Sequence, residues 1–226
     1  NVKHEVVPNF GELKMMLSCI RPDVEIRYTT DGSEPHEYSM LYRRPLIIKQ
    51  SQTVKCATFK DGKRVSQILE IPVQVSGTTG CNVLRSNSVE RRLVNGVRGS
   101  LKNTDGEWAS WGKNDSIALT FDVGARKRMG VVSLGYLNDF GLGLHKPQKV
   151  EVWLSANDVH YWKATEQTFD SDEVFGEGRF TKEMKFAFED VARYVRIIMK
   201  GAGKCSGYHV RPGLETQIYL DEVLIE

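Results

Sequence analysis

The sequence predicts an all-β protein of two domains. Apolar residues almost nowhere recur at helical spacing, whereas short alternating runs broken by Gly, Pro, Asn and Asp return about every ten residues, the rhythm of sandwiches and barrels. The small, polar stretch Val75-Ser76-Gly77-Thr78-Thr79-Gly80 has the composition of a linker. It divides the chain into a first domain at 1–76, a linker at 77–80 and a second domain at 81–226.

In the first part, strands are expected near 14–19, 25–30, 46–49, 53–60 and 67–75. The turns between them are Arg21-Pro22-Asp23, Thr30-Asp31-Gly32-Ser33 and Lys60-Asp61-Gly62-Lys63. Each supplies Asp or Gly where the backbone needs positive φ or an Asx-type bond. In the second part, strands are expected at 117–124, 130–137, 149–155, 161–168, 182–187, 193–199 and 217–225. With a further short strand near 83–84, at least eight strands suit a two-sheet jelly roll. The last two strands flank a glycine-rich loop, 200–213, that still carries Tyr208, His209 and Arg211. Loops of this kind are where recognition residues concentrate, because strands spend their side chains on packing.

The first part resembles a known domain. The run "IRYTTDGSEP" at 26–35, then Ser39, Leu41-Tyr42, Pro45-Leu46, Thr53-Val54-Lys55 and Phe59-Lys60-Asp61-Gly62, is similar to the small Ig-like or fibronectin-like domain at the C-terminus of chitobiase and β-hexosaminidase-type glycoside hydrolases. That resemblance implies a β-sandwich spacer. The second part resembles the galactose-binding-like, discoidin or coagulation factor type C family, which includes the family 32 carbohydrate-binding modules. "NGVRGS" at 95–100, "TFDVG" at 120–124, "KPQKVEVWLSAND" at 146–158, "ARYVRI" at 192–197 and "YLDEVLIE" at 219–226 carry it, and Cys205, Tyr208-His209 and Pro212-Gly213 occupy matching places before the final strand. It implies a jelly roll that binds glycan, appended to a secreted, periplasmic or outer-surface bacterial glycoside hydrolase of β-N-acetylhexosaminidase type. Asn95 stands where the family usually has Asp, and Gln217 where related versions often have Trp.

Charge excludes other partners. The 226 residues carry a formal charge of +2, with 11 Lys and Arg against 9 Asp and Glu up to residue 76 and 20 against 20 beyond it. A polyanion surface needs clustered positive charge, so neither part is a nucleic-acid footprint; Arg126-Lys127-Arg128 reads as a solvated turn. No apolar run approaches the roughly 18 residues of a membrane span. Cys19, Cys56, Cys81 and Cys205 fit no CxxC spacing. A disulfide between Cys19 and Cys56, or buried free thiols, both suit the strand-like stretches that hold them.

Catalysis within the chain is not expected. A glycosidase needs two carboxylates facing each other across roughly 5–10 Å, and Asp221-Glu222, as neighbours on a strand, point to opposite faces. Cys205 and His209 could both reach a metal, but zinc asks for three or four ligands and no second pair lies at a matching spacing. Sugar binding instead asks for aromatic faces and planar polar groups on loops at one end of a sandwich. The candidates are Trp108 and Trp111, then Asn138, Asp139, Phe140 and His145, then Tyr208, His209 and Arg211, for a terminal GlcNAc, GalNAc or galactose. Weak affinity, roughly millimolar to micromolar, goes with few and exposed contacts. The discoidin resemblance also implies structural calcium, with Glu222 as the late carboxylate and Asn95 lowering the charge of the early loop. Asn114-Asp115-Ser116 has the form of a glycosylation acceptor. The rival expectation is a structural role, the second domain docking on the catalytic domain of its own polypeptide, or adhesion to a protein or lipid surface.

Overall fold

The computed structural model describes residues 1–85, 90–112 and 116–226; Asn114 and Asp115 of the acceptor triplet lie outside them. The described residues are nearly all β, as expected. They form two compact units, residues 1–80 with 95–98, and residues 81–94 with 99–226.

The first unit is a sandwich. β1 (Val2–Asn9), β2 (Glu12–Cys19) and β5 (Leu46–Ile48) form one sheet; β3 (Glu25–Thr29), β4 (Met40–Leu41), β6 (Gln52–Lys60), β7 (Lys63–Arg64) and β8 (Leu69–Val73) form the other. Alternation decides which face is buried. Leu13, Met15 and Leu17 of β2 meet Val54 and Cys56 of β6 and Ile71 and Val73 of β8 in one apolar cluster. The β6–β7 hairpin closes on Asp61 and Gly62, both at positive φ (50° and 76°), the backbone a two-residue primed turn demands. Thr78 and Thr79 are buried, and Gly11 N–H donates to Thr79 O at 2.9 Å, so the polar stretch after β8 packs on this unit. Gly80 fits because its φ is +74° and a Cβ there would come within 2.7 Å of the Asn9 nitrogen. All four cysteines are free thiols, and burial pushes those of Cys56 and Cys81 up to about 12.

In the second unit, β10 (Ala109–Gly112), β11 (Ser116–Asp139), β12 (Lys149–Ser155), β13 (Tyr161–Thr168), β14 (Arg179–Lys200) and β15 (Gln217–Ile225) are joined in the hydrogen-bonded order β10-β15-β11-β14-β12-β13, and β9 (Asn82–Leu84) pairs with β11 off this path. β11 and β14 are each long enough to serve two sheets. The first half of β11 pairs with the last half of β14, beside β12, β13 and β9; its second half pairs with the first half of β14, beside β15 and β10. Bulges between Asp122 and Lys127 and between Met129 and Val131 make the bend. The basic run 126–128 therefore lies within a bent strand and not in the turn expected from sequence, because both partners bend together and the ladder continues through it. Phe121, Leu134, Val150, Val152, Leu154, Val195, Ile197, Met199, Leu220 and Val223 fill the space between the sheets.

Asp122 holds the corner. Its carboxylate accepts two hydrogen bonds from Arg193, both 2.8 Å, and one from Gly124 N–H at 2.9 Å. These donors, Arg193 first, keep its carboxyl below the usual carboxylate range. A depressed folded value gives stability that is present above the unfolded pKa of about 3.9 and is lost as pH falls through the folded value. Asp122→Asn should therefore flatten the acid limb of the melting temperature against pH. At neutral pH it should cost only about 1 kcal/mol, since Arg193 is partly solvated.

Candidate functional site

Three chain segments meet at one end of the second unit. The first follows β11: a single 3-10 turn, Phe140–Leu142, is capped by Asp139, whose side chain accepts from Leu142 N–H, and ends on Gly143 at φ 73°. Backbone bonds of Asp139 and Leu144 to each other close this loop. The second is α1 (Ser171–Val174), started by a capping box between Asp170 and Glu173 and followed by Phe175. The third is the long loop before β15. Its base is zipped by Cys205 N–H to Leu214 O (2.8 Å) and Thr216 N–H to Gly203 O (2.7 Å), which leaves Ser206 to Arg211 as its tip.

Behind the surface these segments are joined by a directed chain of hydrogen bonds. Asn138 Nδ2 donates to the carbonyls of Gly176 (2.7 Å) and Gly178 (2.9 Å), so its Oδ1, 3.2 Å from His145 Nδ1, is the acceptor there. His145 Nδ1 therefore carries the proton and its Nε2 is a lone pair. His209 Nδ1 accepts from Arg211 N–H at 3.0 Å, which places its own proton on Nε2, 3.3 Å from His145 Nε2. Burial, and then the neighbouring imidazole, pull the His145 pKa down to about 4, so its ring is neutral at pH 7. Cys205 Sγ joins the two imidazoles, the three donor atoms lying within 4.8 Å of one another. Burial raises its thiol pKa.

In front of this layer lies an open cleft of about 540 Å³ lined by Phe140, Ser171, Asp172, Phe175, Gly176, Glu177, Ser206 and Tyr208. That volume falls in the range of roughly 300–1,000 Å³ usual for ligand pockets. Phe140 rests on His209 with ring centroids 4.1 Å apart, and Phe175 meets His145 edge-on at 5.0 Å. The imidazoles thus back the aromatic floor. Tyr208 is 100% exposed at the loop tip. A wider depression in the first unit, of about 860 Å³, is walled by Met40, Leu41, Leu46, Ile47, Arg43 and Arg44, with the buried Tyr28 as its one aromatic; it offers no pair of ring faces.

Of the residues expected to touch sugar, Phe140 and Tyr208 line this cleft. Asn138, Asp139, His145 and His209 lie behind it, buried, and hold its walls; Asp139 also pairs with Arg179. Trp108 is buried against Leu137 and Leu144, its indole N–H donating to Ser100 O at 3.2 Å, and Trp111 packs half-buried on the main core from β10. Arg211 is exposed at the loop tip. Phe175, Asp172 and Glu177 were not anticipated. The acidic run 170–173 reads as solvated charge, although Asp170 and Glu173, three apart and followed by Val174-Phe175, are a capping-box signal for a helix start.

Gln217 acts here through its backbone, which bonds to Gly143 O and accepts from His145 N–H, both at 3.0 Å. Of the residues expected to ligate calcium, Asn95 belongs to the first unit and spends its Oδ1 on Val97 N–H at 2.8 Å; Glu222 belongs to the second and is fully buried. Asp221 accepts from Gly99 N–H at 3.0 Å. No helix among the described residues is long and apolar enough to cross a membrane.

Comparison with known proteins gives a family match to part of the chain: the Fn3 associated family covers residues 15–71. Among curated proteins nothing matches. Among solved structures the chain is similar to CpGH89CBM32-6 produced by Clostridium perfringens, at 14% identity over 65% of this chain and 90% of that one, with a TM-score of 0.41. It is also similar to the lectin binding domain of Lectinolysin complexed with Lewis b, at 20% identity over 68% and 97%, with a TM-score of 0.43. A third is chitosan-binding module 2, in complex with chitotriose, from the chitosanase/glucanase of Paenibacillus sp. IK-5, at 11% identity over 66% and 95%, with a TM-score of 0.39.

Proposed function

We propose that this chain is a non-catalytic, glycan-binding accessory region of a secreted bacterial glycoside hydrolase, of β-N-acetylhexosaminidase type, and that its second unit takes a terminal sugar in the cleft of Phe140, Phe175 and Tyr208. The observation that carries the reading is Tyr208. A fully exposed aromatic side chain at the tip of a loop contributes nothing to packing, and it borders a cleft with two further rings and two carboxylates. A pyranose presents an apolar face that such rings cover, and hydroxyls that Asp172, Glu177, Ser171 and Ser206 can accept from or donate to. The first unit serves as the spacer that carries this module. The sequence resemblance to hexosaminidase-associated domains supplies the choice of parent enzyme, and with it the placement outside the cytoplasm.

A panel of oligosaccharides ending in GlcNAc, GalNAc and galactose, titrated calorimetrically into the whole chain, tests the reading. Binding to one of them with a dissociation constant of roughly 10 μM to 1 mM is expected, about 4–7 kcal/mol. Silence across the panel would sink the lectin reading. It would leave the second unit as a surface that docks on the catalytic domain of its own polypeptide.

A further inference from the structure

We infer that His145, Cys205 and His209 form a zinc(II) site behind the cleft. Spacing in the sequence offers only the Cys205 and His209 pair; the fold brings the third ligand, His145, from 64 residues before His209. All three residues are buried and their donor atoms lie within 4.8 Å of one another. The two Nε2 atoms are 3.3 Å apart. Two zinc–nitrogen bonds of about 2.0–2.1 Å at a tetrahedral angle span about 3.3–3.4 Å, so this edge already has its metal-bound length. His145 is oriented as metal-bound imidazoles are: its Nδ1–H donates to Asn138 Oδ1, and Asn138 is fixed by two backbone carbonyls.

The protons balance simply. Without metal, the His209 proton bridges the two Nε2 atoms. On binding, zinc takes that place, the proton moves to His209 Nδ1, and Arg211 N–H turns to solvent from its exposed loop. The Cys205 thiol gives up its proton and becomes a thiolate ligand, so one proton leaves the protein for each zinc bound. Three protein ligands leave a fourth position for water. The metal would tie the loop before β15 to the loop after β11. The site stands on this cluster alone and does not depend on glycan binding.

The test uses the full chain, stripped with a chelator and titrated with cobalt(II) chloride and then zinc chloride. Expected are saturation at one cobalt per chain, a thiolate-to-cobalt charge-transfer band with the intense visible bands of a tetrahedral ion, displacement of both by zinc, and release of one proton per zinc. Cys205→Ser should remove the charge-transfer band. It should also weaken zinc binding by more than the roughly 10–100-fold that loss of an outer-shell partner costs. If that variant does not fold, the band and the proton count of the wild-type chain decide alone. Absence of a thiolate band at saturation, or zinc binding that Cys205→Ser leaves unchanged, would overturn the site.

Discussion

Asn138→Ala is expected to lower the stability of the second unit by about 3 kcal/mol and to abolish sugar binding with it. Asn138 is almost fully buried and uses every polar atom, two hydrogen bonds to the carbonyls of Gly176 and Gly178 and one contact with His145 Nδ1. Alanine strands all three partners, and each buried group left unmet costs about 1–3 kcal/mol, less where water can enter. The same bonds hold Gly176, and the Phe175 beside it, against the end of β11. The wall of the cleft should therefore loosen before the fold is lost. Thermal unfolding and sugar titration on one sample check both halves; a loss below about 0.5 kcal/mol, the size of an ordinary surface substitution, would contradict this role.

Phe121→Ala is expected to destabilise the second unit by about 3–5 kcal/mol, the range for truncating a large buried aromatic side chain. Phe121 is fully buried and sits opposite Val83 of β9 and Val195 of β14, where β11 approaches its bend. Phe121→Leu should recover more than half of the loss. The shift of the denaturation midpoint at unchanged slope measures it.

Local chemistry made much of the fold legible. Val150, Val152 and Leu154 alternate as a half-buried strand must, and Asp61-Gly62 announces its hairpin. Other features depend on partners that no local pattern names. β11 and β14 read as four strands because Gly124 and the charges at 126–128 resemble a break, yet paired bulges carry both strands around the corner together. β1 is not legible locally because its apolar positions are interrupted by His4 and Glu5, and its place is decided by its pairing with β2. At the site, Phe140 and Tyr208 were identifiable as aromatics on Gly-flanked loops. His145 and His209 were identifiable as chemistry-bearing residues, but their roles come from an encounter across 64 residues. Phe175 was hidden by the acidic run before it. Trp108 shows the opposite limit: a tryptophan in a loop suggests a sugar platform, and here it is packed beneath the loop that carries it.

The proposed site holds sugar by the rings at the mouth of the cleft. Its most direct test is side-by-side titration of the wild-type chain and Tyr208→Ala with the sugar that binds best in the panel. Tyr208 is 100% exposed, so its removal should leave the melting temperature unchanged, while affinity falls at least about tenfold, or 1.4 kcal/mol. Equal affinity in the two proteins would contradict the cleft as the site.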